Sequence, residues 1–159
     1  MKKFLLLFLA IVTTYTLPAQ QITFERIIDT MHCSSAECVQ QTLDGGYIIA
    51  GITSNNNNDA LIFKLDKYGA IEWIKQYGGN GQDGILGIIQ LPDSTYIGCG
   101  VWDSGLNGQN WIIKLDKYGD TLWTTHEYNY YNASYWAMCI GNNMDYINGG
   151  DAEFANYNF

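Results

Sequence analysis

The sequence predicts an all-β chain built from four-stranded antiparallel meanders that recur about every 50 residues. Three observations carry that expectation. The stretch IFKLDKYGAIEW (62–73) returns as IIKLDKYGDTLW (112–123), at an offset of 50 and with eight of twelve positions identical; a period of that size marks architectures made of stacked repeats. The chain holds 12 Tyr, 5 Trp and 17 Gly against 2 Pro, so aromatic and β-branched runs punctuated by Gly, Asn and Asp supply strands and tight turns. No stretch beyond the N-terminal leader sustains apolar residues at helical spacing.

Taken in order, the chain opens with Lys2 and Lys3, an unbroken apolar run from Phe4 to Val12, and Leu17 and Ala19 at positions suited to cleavage after Ala19. That pattern is a secretory signal peptide over 1–19, too short for a membrane span. No later run is apolar enough to cross a bilayer, and the expected location is secreted, extracellular or cell-surface. Removing 19 residues from 159 leaves 140, on which six basic residues face sixteen acidic ones, a net charge of −10. Such a surface repels phosphate backbones, which argues against a nucleic-acid partner.

The remainder, 20–159, divides by the repeat. Gln21 to Asp29 reads as one strand whose Phe24-Glu25-Arg26 aligns with Trp73-Ile74-Lys75, so 20–36 is a closing strand with the loop Thr30 to Ser35. The first unit, 37–84, places strands at Cys38–Thr42, Tyr47–Thr53, Ala60–Leu65 and Ala70–Tyr77, with Asp44-Gly45-Gly46 turning the first hairpin and GGNGQDG (78–84) leading onward. Asp-Gly and Gly-Gly supply the positive φ that tight hairpins need. The second unit, 85–134, repeats the plan with strands at Ile85–Leu91, Thr95–Val101, Asn110–Leu115 and Thr121–Tyr128, and a loop from Trp102 to Gln109. The third, 135–159, begins with Tyr135–Ile140 and Tyr146–Gly150 and stops inside the loop before its third strand.

In the repeated hairpin, Asp66 and Asp116 open the turn and Gly69 and Gly119 close it. That spacing fits a type I turn closed by a left-handed glycine and a bulge. Alternation puts Leu61, Phe63 and Leu65 on one face and Ile62 with Lys64 on the other; the second copy puts Trp111, Ile113 and Leu115 opposite Ile112 and Lys114. Strands apolar on most of both faces must be covered on both faces. A four-stranded sheet covered on both sides by copies of itself is a β-propeller blade. Two units and two fragments fall short of a ring, so the expectation is an incomplete ring, an open arc whose remaining blades belong to a longer parent chain.

The string DGGYIIAGITS (44–54), then D-x-L-I-x-KLD-x-x-G-x-x-x-W from Asp59 to Trp73, then YGGNGQD (77–83), resembles a family of secreted β-propeller repeat proteins of Bacteroidota-type bacteria. The second copy departs from it, with Asp93-Ser94-Thr95-Tyr96 in place of DGGY. The resemblance implies type IX secretion and a repeat scaffold, and brings no catalytic residues with it. A partial likeness to quinone-dependent dehydrogenase propellers lies in the repeated Asp, turn Gly and Trp, but their Asp–Gly spacing is one residue longer than Asp66 to Gly69.

The residue types that carry chemistry are sparse. His32 and His126 sit in no metal-binding or catalytic pattern, and no nucleophile elbow or phosphate loop is present. Asp59, Asp83 and Asp103 recur near strand ends but are too far apart in sequence to converge visibly on one ion, so no metal or cofactor is expected. Asn132-Ala133-Ser134 is a glycosylation sequon by pattern, expected unused. Of Cys33, Cys38, Cys99 and Cys139, the first two are close enough in sequence to admit a local disulfide, and Cys99 and Cys139 read as small buried hydrophobes. Trp73 and Trp123 hold equivalent places and are expected to lock neighbouring blades. Trp102 and Trp136 fall outside the register, and Trp102, read as a loop residue, is the candidate for ligand contact. The expected function is a non-catalytic secreted scaffold that presents variable loops to protein or glycan partners; the alternative is a propeller enzyme, quinoprotein-like or polysaccharide-acting, with its active groups on blades outside this chain.

Overall fold

The computed structural model describes residues 25, 27–28, 33–54, 57–103, 108–127, 135–140, 146–150 and 156–157, the last three segments by their backbone. The segment read as a signal peptide, 1–19, together with His32, the sequon at 132–134 and most of the strand expected at 21–29, lies outside the described residues. Glu25, Ile27 and Ile28, within that stretch, are in no strand.

The described chain is all-β, with no helix among the described residues. Strands β1 (Cys33–Gln41), β2 (Tyr47–Thr53), β3 (Ala60–Leu65) and β4 (Ile71–Tyr77) form one antiparallel sheet in sequence order. A second four-stranded sheet follows with β5 (Gly84–Gln90), β6 (Tyr96–Asp103), β7 (Gly108–Leu115) and β8 (Thr121–Glu127). The third sheet has β9 (Tyr135–Ile140), β10 (Tyr146–Gly150) and the two-residue β11 (Asn156–Tyr157). No sheet closes on itself. β11 is a correction: the stretch read as a loop pairs Asn156 with Ile147 and Tyr157 with Tyr146.

Both LDKYG turns have the expected geometry. Gly69 and Gly119 take φ of 80° and 82°, values that cost glycine little. The Asp66 carboxylate accepts the amides of Tyr68 and Ala70, each at 2.8 Å, and Asp116 accepts those of Tyr118 and Asp120 at the same distances. The register shifts at Lys64/Leu65 and Lys114/Leu115 are the bulges such turns produce. The first-hairpin turns also match, with Gly45 at φ 82°, but Ser94 stands in its place in the second copy at φ 69°.

The sheets stack, with β5 against β1, β2 and β3, and β9 against β5 and β6. The core between the first two sheets joins Ile48, Ala50, Ala60 and Ile62 to Ile85, Ile88, Tyr96, Trp111, Ile113 and Leu115. The second sheet's other face holds Ile89, Leu91, Ile97, Cys99 and Ile112, and the first sheet's outer face holds Ile49, Leu61, Phe63 and Leu65. The alternation read from sequence therefore divides the side chains between faces as expected.

The start of β1 differs from the expected loop. The strand begins at Cys33, and two register shifts, at Cys33/Ser35 and Ala36/Cys38, scramble the alternation that would have revealed it. Cys33 pairs with Thr53 and Cys38 with Ala50. Those partners are an odd number of residues apart, so the two cysteines face opposite sides of the sheet. Both thiols are free, and a separation of about 10 Å along the strand exceeds what a disulfide spans.

Candidate functional site

Antiparallel pairing sends the tight β1–β2, β3–β4, β5–β6 and β7–β8 turns to one end of each sheet and the β2–β3, β4–β5 and β6–β7 connections to the other. Each end gathers a cluster of polar side chains.

At the turn end, Trp73 leaves β4 to meet the second sheet. Its indole N–H donates to the Lys117 carbonyl at 3.2 Å, and its ring meets Tyr96 edge-on at 6.0 Å. Two residues further along the same face, Lys75 pairs with Asp120 at 2.5 Å; two further again, the Tyr77 hydroxyl donates to the Gly119 carbonyl at 2.7 Å. Trp73, Lys75 and Tyr77 of β4 thus grip the second LDKYG turn and the residue after it. Trp123, the equivalent of Trp73, packs on the outer face of the second sheet beside Ile97 and Ile112.

Beside Trp73 opens a cavity of about 550 Å³, lined among others by Asp44, Glu72, Gln90, Ser94, Tyr96 and Tyr118. Its floor is Lys64, 2% exposed, whose ammonium meets Asp44 at 2.9 Å, Glu72 at 3.1 Å and the Leu65 carbonyl at 2.9 Å. These bonds use the ammonium's three donors and answer the cost of burying it. Burial raises the Asp44 carboxyl, but hydrogen bonds from Thr42, Lys64 and the Gly46 amide, with the charge of Lys64, outweigh that and hold it at about 2. Burial pushes the Tyr96 hydroxyl up to about 12, with the charges of Asp44 and Glu72 adding. Asp44 ionised and Tyr96 neutral at neutral pH suit the cavity to hydrogen bonding more than to proton transfer.

At the loop end, the sheet geometry brings together Asp59 and Asp83, 24 positions apart in sequence. Asp59, just before β3, is 8% exposed; Asp83, just before β5, is 2% exposed. A Cβ placed on Gly78 would lie 2.6 Å from Asp59 Oδ1 and 2.6 Å from Asp83 Oδ2, so both oxygens converge above that glycine. Asp83 accepts the amides of Gly79 at 2.6 Å and Asp103 at 2.8 Å. Gln76 donates to Asp59 Oδ2, while Asp59 Oδ1 is buried with no hydrogen-bond partner. Burial pushes the Asp83 carboxyl above its ordinary value; the two amide bonds oppose this, and the charges of Asp59 and Asp103 add to it. Asp83 also lines a cavity of about 320 Å³ with Ser34, Asn58 and Gln82. The GGNGQDG stretch is the connection between sheets, as expected, and its glycines make room for these side chains.

Trp102 differs from its expected place. It lies on β6, which runs to Asp103, and not in a loop. Its ring lies 5.0 Å from Trp111 and 4.4 Å from His126, centroid to centroid, and would touch a Cβ on Gly79 at 2.8 Å. That is packing against the core and the inter-sheet connection. His126, on β8, has its Nδ1 buried without a partner, and burial lowers its pKa against the pull of Asp83. Trp136 and Cys139 lie on β9, where the backbone alone is described. Among the described residues no group of three or more His, Cys, Asp or Glu side chains is arranged to hold a metal ion, and no helix is long and apolar enough to cross a membrane.

Sequence reasoning singled out Asp66, Gly69, Trp73, Asp116, Gly119 and Trp123 as the repeat's structural residues. It missed Lys64, Asp44 and Glu72 as a cluster. The signal was present in Lys64, a charged residue inside an otherwise apolar strand, which requires a partner when buried. No protein-family model matches the chain, and no curated protein matches it.

Proposed function

We propose that the chain is part of a secreted β-propeller that serves as a non-catalytic binding module, with glycans as the favoured ligand. The propeller reading rests on the recurrence of the sheets along the chain, their face-to-face stacking, and the grip of β4 on the next sheet's turn. The observation that carries the binding reading is the cavity between the first two sheets at the turn end. Trp73 and Tyr118 supply aromatic surface, while Glu72, Gln90, Ser94 and Lys117 supply donors and acceptors. Its volume of about 550 Å³ falls in the range of small-molecule sites, about 300–1,000 Å³. Flat aromatic faces beside converging polar groups suit a ligand with apolar ring faces and hydroxyl edges.

A glycan array probed with the purified protein tests this. Glycans are expected to be retained, and Tyr118→Ala and Gln90→Ala to abolish retention, the former without moving the thermal midpoint. Tyr118 is 60% exposed, so its truncation leaves the core intact. No glycan retained, or retention indifferent to both substitutions, overturns the reading.

A further inference from the structure

We propose that Asp59 and Asp83, at the loop end between the first two sheets, form a binding site for a hard divalent cation, with Ca²⁺ as the ion that fits best. The site is distinct from the turn-end cavity and does not depend on the propeller reading.

Two carboxylates there are almost completely withdrawn from water, at 8% and 2% exposure. Their oxygens Asp59 Oδ1 and Asp83 Oδ2 converge on one point, each 2.6 Å from where a Gly78 side chain would begin. Like charges placed together under burial are relieved by a compensating positive charge or by one group keeping its proton. The described ion pairs engage Asp44, Glu72 and Asp120, away from this pair. Gln76 and the amides of Gly79 and Asp103 take three of the pair's hydrogen-bonding positions. Asp59 Oδ1 takes none. A buried carboxylate oxygen left unpaired is costly, and it converges with Asp83 Oδ2 above Gly78, which is the disposition of a ligand awaiting an ion.

The surroundings select the ion. Asn58, Gln82 and Ser34 line the adjoining cavity of about 320 Å³ with Asp83, giving a path of entry and further oxygen donors. Oxygen donors of this kind, with flexible geometry, favour Ca²⁺ over Mg²⁺, which demands a tight octahedron and releases its water reluctantly. Two carboxylates, with the remaining positions left to main-chain, amide and water oxygens, place the affinity in the weak class, Kd of about 10⁻⁴–10⁻³ M. Gly78 is what leaves room: any side chain there would occupy the space between the two oxygens.

The test uses the purified protein with calcium, magnesium and terbium chlorides. Calcium at about ten times its Kd is expected to raise the thermal midpoint by about 5 °C, with magnesium weaker and sodium at equal ionic strength without effect. Terbium should show emission sensitised by Trp102, whose ring covers Gly79, and calcium should quench it by competition. Asp59→Asn keeps the shape and removes the charge; it should abolish both responses while raising the midpoint in EDTA. Gly78→Ala leaves both carboxylates and should abolish terbium emission. A wild-type midpoint indifferent to calcium overturns the proposal. Terbium emission that persists in Asp59→Asn also overturns it.

Discussion

The ring of Trp73 lies against Gly119: a Cβ on that glycine would sit 2.9 Å from the indole. One residue of the first repeat thus depends on the absence of a side chain in the second, and the same glycine needs its left-handed φ of 82°. Two constraints therefore act on Gly119, and they can be separated.

Gly119→Ala is expected to destabilise by about 3 kcal/mol, combining left-handed strain of about 1–2 kcal/mol with displacement of the indole. Gly45→Ala is the control for strain alone, because Gly45 has the same φ and its added Cβ would find its nearest contact at 3.8 Å. It should cost about 1–2 kcal/mol. In a Trp73→Ala background, Gly119→Ala should fall to the Gly45→Ala value, a coupling that urea midpoints can read.

Ser94→Gly should stabilise by about 0.5–1 kcal/mol. Ser94 adopts φ 69° where the first repeat has Gly45, and relief of left-handed strain outweighs the extra freedom glycine gives the unfolded chain. A lowered thermal midpoint would count against the turn geometry.

Acid should weaken the protein through Asp44. Its folded pKa, about 2, lies below the ordinary 3.8, so the folded state binds fewer protons than the unfolded. The contribution is present above about pH 4 and is lost as pH falls towards 2. Asp83 acts in the opposite sense. Its raised pKa means the folded state binds more protons, so stability falls as pH rises from 3.8 through the folded value. Asp44→Asn should flatten the acid limb of a midpoint-against-pH curve, and Asp83→Asn should remove the loss on the rising side.

Cys99 should resist alkylation in the folded protein. Burial pushes its thiol up to about 12, with Cys38 adding and the Gly87 amide opposing, so almost no thiolate exists at pH 8. Cys33, half-buried, should label before Cys99 under native conditions, read by mass spectrometry of the peptides. Equal labelling of Cys33 and Cys99 before unfolding would contradict the observed packing.

The hairpins were legible because their signals are local. Asp66 and Gly69 lie within one turn, and Leu61, Phe63 and Leu65 declare their shared face by alternation alone. The beginning of β1 was not legible, since two bulges break the period on which strand reading relies. Trp102 was misplaced by a related cause: β6 extends to Asp103, two residues beyond the apolar run.

The sequence by itself determined the repeat, its strands and turns, and which residues of each strand share a face. These follow from bonds and spacings within a few residues of one another. Tertiary structure alone decided what faces what across the sheets. It set Trp73 on Gly119, placed Lys64 between Asp44 and Glu72, turned Cys33 from Cys38, and brought Asp59 to Asp83. These contacts depend on the stacking of one sheet on the next and on bulges that shift register, and no local spacing encodes either.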